Sequence, residues 1–327
     1  MSVKLYIEAI HDALEQEMRR DASVFVLGED VGVRGGVFRV TQGLIEQFGE
    51  ARVLDTPLAE SAIVGVAIGA SLYGMRPVAE IQFADFILPA VNQIISEAAK
   101  MRYRTRGDWH CPLVIRAPYG GGVHGALYHS QSLEALFYHV PGLKIAMPAT
   151  PKDAKGMLVA AMRDPDPVLF FEHKGLYRLV REEVPDDLYE VALGEAAVVR
   201  EGDDVTVITY GLMLHHTLTA AQTLASEGIS THIVDLRTVA PLDAATIVEA
   251  TRKTGKVLIV HEDNKTGGVG AEVAAIIAEQ ALFELDAPIA RLCGPDVPAM
   301  PYNAVMERYY MLNAERIAQA LRELAAF

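Results

Sequence analysis

The sequence predicts an α/β fold of two units, each a parallel sheet with helices on both faces. Three observations predict it. Short runs of β-branched and aliphatic residues recur along the chain and read as strands buried on both faces. Longer helix-like stretches alternate with them. Gly or Pro closes several of the strands.

In the first unit the expected strands are residues 24–27, 78–82, 113–116, 144–147 and 168–172. The expected helices are 62–73, 88–103 and 151–162. Residues 173–204 break the rhythm: they are charged and hairpin-like, and read as a connection. The rhythm then resumes. Strands are expected at 205–210, 230–235, 257–261 and 289–293, with helices near 214–226, 244–253, 270–283 and 314–325. The expected division is a first domain over 1–185, a linker over 186–204 and a second domain over 205–327.

A chain of 327 residues suits about two domains of roughly 100–200 residues each. Hydrophobic residues make up 51% and charged residues 22%, enough for a real core. The net charge is −14, and no basic face is visible for nucleic acid. An acidic chain favours a basic protein partner. Two cysteines, Cys111 and Cys293, are no disulfide framework and suit a reducing compartment. The first eighteen residues read as an amphipathic helix from the start, with no signal-peptide apolar region. The longest apolar run, 62–75, is too short to span a membrane. The expectation is a soluble cytoplasmic protein.

Several motifs bear on chemistry. "GGGVHG" at 120–125 matches G-x-G-x-x-G, but Pro118 and a second loop stand where a dinucleotide site needs a helix. A flexible loop carrying a functional histidine fits better. "TGGVGAE" at 266–272 reads as a tight turn into a helix, although its N–H groups could accept an anion. His124 and His129 are five apart, with no Cys/His cluster to support a metal. Both stand near Ser130, Gln131 and Ser132 in that loop, which is a plausible setting for proton transfer. No G-x-S-x-G elbow and no Walker A motif is present. Glu60, in "DTPLAESAIVGVAIG", opens an apolar run. Locally it reads first as a helix-start acid favoured by the macrodipole, with Ser61 as a possible cap. A catalytic carboxylate is the alternative.

Taken together, "LGEDVG", "GGVFRVTQGL", "DTPLAESAIVGVAIG", "AEIQFADF", "GGGVHGALYHSQS", "DPDPVLFFEHKGLYR" and "VDLRTVAPLD" resemble one family from about Leu5 to the C-terminus. It is the beta subunit of the decarboxylating first component of 2-oxo acid dehydrogenase complexes. The resemblance implies a thiamine-diphosphate-binding, doubly wound pyrimidine-type domain followed by a transketolase C-terminal-like α/β domain. It also implies an α2β2 heterotetramer with thiamine diphosphate at the α–β interfaces. The chain contains no GDG motif for the Mg²⁺-bound diphosphate. By resemblance that half belongs to an alpha subunit, and the beta chain alone is expected to be inactive.

Carried over by resemblance, Glu60 faces N1′ of the aminopyrimidine and shares a proton with it. Leu58 and Ala59 line the ring, Gln82 lies near the cofactor, and Phe86 takes an aromatic position. Glu29 is an acid near the cofactor, in the passage between paired sites. His129 is the active-site histidine, donating a proton to a lipoyl sulfur or positioning the intermediate. His124 is not carried over. A potassium ion held by main-chain carbonyls is implied near Leu113, Ala161 and Asp164. The resemblance also implies that the C-terminal region is where a basic domain of the dihydrolipoyl acyltransferase docks. "HGALYHSQS" and "RLCGPDVPAMPY" look more like branched-chain members than pyruvate ones. Pyruvate and acetoin dehydrogenases stay open as alternatives. So does another transketolase-like enzyme, and further off a non-catalytic docking scaffold.

Overall fold

The computed structural model describes residues 1–327. In chain order its strands are β1 (Ser2–Leu5), β2 (Val24–Gly28), β3 (Val53–Asp55), β4 (Arg76–Glu80), β5 (Val114–Tyr119), β6 (Lys144–Ala146), β7 (Val168–His173) and β8 (Arg181–Val184). They continue with β9 (Ala197–Arg200), β10 (Val205–Thr209), β11 (Thr231–Asp235), β12 (Thr238–Ala240), β13 (Val257–Asn264) and β14 (Ala290–Gly294). The helices are α1 (Tyr6–Arg20), α2 (Leu44–Phe48), α3 (Glu60–Leu72), α4 (Met101–Arg104), α5 (Glu134–Tyr138) and α6 (Pro151–Arg163). After them come α7 (Leu212–Ala225), α8 (Ala244–Thr254), α9 (Val269–Gln280), α10 (Ala304–Tyr310) and α11 (Ala314–Ala325). No helix is long and apolar enough to cross a membrane.

The chain divides into two units. The first comprises Met1–Tyr119 and Leu136–Leu193; the second comprises Gly120–Ala135 and Gly194–Phe327. The division at 193/194 falls inside the expected linker. The segment 120–135, expected in the first domain, groups with the second unit.

In the first unit six parallel strands run in the order β6-β7-β5-β4-β2-β3. Strands β2, β5 and β7 are buried along their whole length. This is why their sequences are nearly unbroken apolar runs rather than alternating ones. Helix α1 buries Tyr6, Ala9, Ile10, Ala13, Leu14, Glu17 and Met18, one stripe at helical spacing. Thr150 caps α6 by accepting the Asp153 N–H at 3.1 Å, and Pro151 occupies the first turn, where its missing donor costs nothing.

Three local expectations need correction. The N-terminus is not helical from its start: Ser2–Leu5 pairs antiparallel with Arg181–Val184, and the helix begins at Tyr6. A distant strand thus claims the backbone groups that a helix would have used. The same pairing, with β9 lying antiparallel on β11, replaces the expected hairpin over 173–204. The helix expected over 88–103 is broken into a 3₁₀ segment (Ala84–Ala90), a π turn (Gln93–Glu97), a second 3₁₀ turn (Ala98–Lys100) and α4. Pro89 lies inside the first of these, where it removes an N–H donor.

In the second unit five strands run in the order β14-β13-β10-β11-β9, all parallel except the edge strand β9. Helix α11 spans the expected residues, opens on an Asn313 cap to the Arg316 N–H at 2.9 Å, and buries Ile317, Ala318, Leu321 and Leu324.

Candidate active site

In open parallel sheets, ligands bind beyond the carboxyl ends of the strands. At that end of the first unit, Gly28 of β2 is in register with Asp55 of β3 and Glu80 of β4, and Glu80 is in register with Arg116 of β5. A side chain at Gly28 would bring its Cβ to 2.6 Å from the Glu80 carbonyl oxygen, so only glycine fits there. The next residue is Glu29. Burial raises the pKa of its carboxyl first, and the charges of Asp30 and Glu60 raise it further. Glu29 and Glu60 are therefore electrostatic neighbours.

Glu60 is the first residue of α3, half-buried, and its carboxylate makes no hydrogen bond or ion pair within the chain. The cap position is Ala59, which offers no capping side chain. Ser61 is thus not the cap, and the acid sits where the helix dipole favours an anion. Leu58 is 71% exposed, so within this chain it forms an open edge rather than a closed wall. Gln82 follows β4 and is half-buried.

Phe86 meets Phe83 edge-on at 5.8 Å between ring centroids. Phe83 meets Phe38 at 5.5 Å, and Phe38 meets Tyr177 at 5.1 Å. The aromatic position anticipated at Phe86 thus belongs to a wall of four rings, three of which sequence reasoning missed. Glu29, Leu58, Ala59, Glu60, Gln82 and Phe86 all belong to the segments at this one end of the first unit's sheet.

Sequence reasoning also missed a buried ionic trio. Arg116, fully inaccessible to water, donates to Glu172 through Nε at 2.6 Å and a terminal nitrogen at 2.8 Å. Its other terminal nitrogen donates to Glu80 at 2.6 Å. The Tyr177 hydroxyl donates to Glu172 at 2.7 Å. Burial raises the Glu80 carboxyl, while Arg116 opposes the rise. Burial also pushes the Tyr177 hydroxyl well up, so it stays a donor. The signal is one acid or Arg within or at the end of each apolar strand: "VAE", "VIR" and "FFE".

His129 belongs to the second unit. It is half-buried and closes the short 3₁₀ turn Ala126–Tyr128. Gly125 packs against it so closely that an added Cβ would lie 2.6 Å from the His129 carbonyl oxygen. His124 lies on the same loop with its side chain exposed, and its Nδ1 pairs with Glu307.

The three positions implied for potassium lie in the segments around the end of α6 and the start of β5. The Leu113 carbonyl accepts the Val168 N–H at 2.9 Å, and the Ala161 carbonyl accepts the Asp164 N–H at 3.3 Å. Arg76 donates to the Met162 and Asp164 carbonyls at 2.8 and 3.4 Å. No group of three or more His, Cys, Asp or Glu side chains could hold a metal.

A carboxylate with no partner, a second acid held toward its protonated form and an aromatic wall together fit a flat heteroaromatic base that exchanges a proton.

The chain matches the model for "Transketolase, pyrimidine binding domain" over residues 4–180, and that for "Transketolase, C-terminal domain" over residues 194–317. It is 67% identical to 2-oxoisovalerate dehydrogenase subunit beta of Bacillus subtilis (strain 168), covering all of both chains. It is 47% identical to that organism's pyruvate dehydrogenase E1 component subunit beta, again over all of both chains. A 2-oxoisovalerate dehydrogenase subunit beta 2 (mitochondrial) from Arabidopsis thaliana is 49% identical, covering 98% of this chain and 88% of that one. Among solved structures, a "split gene transketolase, inactive beta4 tetramer" matches with TM-score 0.81 over 98% of both chains. At 24% identity it bears on the fold alone.

Proposed function

We propose, from the premise that this chain belongs to the family of 2-oxo acid dehydrogenase E1 beta subunits, that it supplies the aminopyrimidine half of a thiamine diphosphate site in a branched-chain 2-oxo acid dehydrogenase. The observation that carries the reading is Glu60: a half-buried acid with no partner in its own chain, at a helix start, beside the raised Glu29. The branched-chain choice rests on the 67% identity to a 2-oxoisovalerate subunit against 47% to a pyruvate one.

Thiamine diphosphate, when bound, supplies the electron sink that lets CO₂ leave a 2-oxo acid. Glu60 holds and exchanges a proton at N1′ of its pyrimidine. Leu58 and Ala59 contact the ring, and Gln82 and the wall around Phe86 orient it. Glu29 is a second acid near the ring, held toward its protonated form by burial and by the charges of Asp30 and Glu60. His129 donates a proton to a lipoyl sulfur during transfer to a dihydrolipoyl acyltransferase. The Mg²⁺-bound diphosphate falls to an alpha subunit in an α2β2 assembly, because this chain has no GDG motif. A potassium ion near Leu113, Ala161 and Asp164 would use the second lone pairs of carbonyls that already accept one hydrogen bond each. The two cysteines are free and buried, which suits a cytoplasmic setting.

The test is Glu60→Gln, co-expressed with the alpha chain and assayed on a panel of 2-oxo acids by CO₂ release. Turnover should fall by about 10²–10⁴-fold, with the tetramer intact by sedimentation. Near-normal turnover would end the role given to Glu60. A wild-type preference for pyruvate would end the branched-chain reading alone.

A further inference from the structure

The loop of residues 120–132 is held in an unfavourable backbone conformation. His124 and Ala126 have φ of +56° and +55°, and Gly120 and Gly122 lie at +88° and +80°. A non-glycine residue in that region is strained and persists only when its surroundings fix it. The Gly120 N–H donates to the Gln131 carbonyl at 3.1 Å and closes the base of the loop. Two buried carboxylates on distant elements restrain it further.

Glu262 of β13, 6% exposed, accepts the Gly121 N–H at 2.7 Å and lies 3.5 Å from the Ser132 hydroxyl. Glu307 of α10, 2% exposed, accepts the Gly122 and His124 N–H groups at 3.1 and 3.2 Å, and pairs with the His124 ring. Hydrogen bonds from N–H groups onto ionised carboxylates are among the strong ones. Gly121 also leaves no space: an added Cβ would lie 2.4 Å from the Met300 methyl and 2.8 Å from the Met311 sulfur. The clamped stretch ends at Gly125, which lies directly against the backbone of His129.

We infer that Glu307 and Glu262 are positioning residues: they hold the loop so that His129 is presented to its substrate. This rests on the proton-donor reading of His129. Neither acid has another task in the mechanism, and both are buried at the cost of desolvation.

The test uses the assembled alpha–beta enzyme with a lipoylated acyltransferase domain. In Glu307→Ala, hydrogen exchange of the Gly122 and His124 amides should speed up by about 10–100-fold, the equivalent of losing charged hydrogen bonds. The kcat for lipoyl acylation should fall by about 100-fold, as expected for a misplaced group, with KM for the 2-oxo acid unchanged. Glu307→Gln keeps an acceptor oxygen for both N–H groups and should recover most of the loss. His124→Asn, a change of one exposed side chain that tolerates positive φ, should loosen the loop in the same direction if the alanine variant does not fold. The double variant Glu307→Ala/His129→Ala should be no worse than His129→Ala alone. Unchanged exchange in both Glu307→Ala and His124→Asn overturns the clamp. Faster exchange with undiminished acylation overturns the positioning role. If His129→Ala itself acylates normally, the underlying reading fails; if only the Glu307 variants do, this inference fails alone.

Discussion

Replacing Arg116 by Met keeps most of the side chain's bulk and removes its charge. In the wild type this guanidinium is fully buried and makes three hydrogen bonds of 2.6, 2.6 and 2.8 Å to Glu80 and Glu172. Its loss leaves two carboxylates inside the first unit with no cation between them. Breaking a buried pair by removing one partner costs about 3–5 kcal/mol, against a total stability of about 5–15 kcal/mol. For a unit of this size, each kcal/mol moves Tm by about 2–4 °C, giving a drop of about 6–20 °C. The sign of the pH dependence follows from Glu80. Burial already raises its folded pKa, and Arg116 opposes that. A carboxyl raised in the folded state contributes stability below its unfolded pKa and loses it as pH rises through the folded value. Without Arg116 the rise is larger, so the variant should recover stability on acidification. Thermal unfolding followed by circular dichroism at pH 8 and pH 5.5 measures both effects. A Tm within 2 °C of wild type at pH 8, or a deficit that grows at pH 5.5, would refute the reasoning.

Two further outcomes follow from the same kind of argument. Asp263 is raised to about 6, first by burial and then by Glu262, so its protonated form adds stability at low pH that is lost as pH rises through about 6. The Tm of wild type minus that of Asp263→Asn should therefore rise as pH drops from 7 toward 4; a difference that falls would contradict it. Gly28→Ala places a methyl 2.6 Å from the Glu80 carbonyl. It should cost about 1–3 kcal/mol and lower activity by moving Glu29; urea unfolding with a parallel CO₂ assay checks both.

The parts of the fold legible in the sequence were those where local pattern and tertiary role agree. Strands such as Val168–His173 are buried on both faces, so hydrophobicity alone marks them. Helix α11 has a narrow apolar stripe and an Asn cap, and its bounds were readable to the residue. Strands β1, β8 and β9 were missed because they are short, mostly exposed or half-exposed, and exist through pairing with distant residues. The site divided in the same way. Glu60 was ambiguous locally, and only the resemblance carried by its neighbours singled it out. Arg116, Glu80 and Glu172 come from three strands, and a single charge in an apolar run does not reveal its partners. Glu262 and Glu307 reach the histidine loop across sequence separations of 141 and 185 residues, which no local pattern can show.

The broken helix that carries Phe86 keeps time in an unusual way. From Ala84 a buried series runs Ala84, Ile87, Ala90, Ile94, Ala98 and Met101, at spacings of 3, 3, 4, 4 and 3, with Ala99 buried beside Ala98. The tight 3₁₀ turns overwind and the wide π turn unwinds, so the errors cancel and both ends face the core. Deleting one residue from Gln93–Glu97 would swing everything after it by about 100° around the axis. The segment behaves as a compensated gear: its irregular turns are individually out of step and jointly in phase.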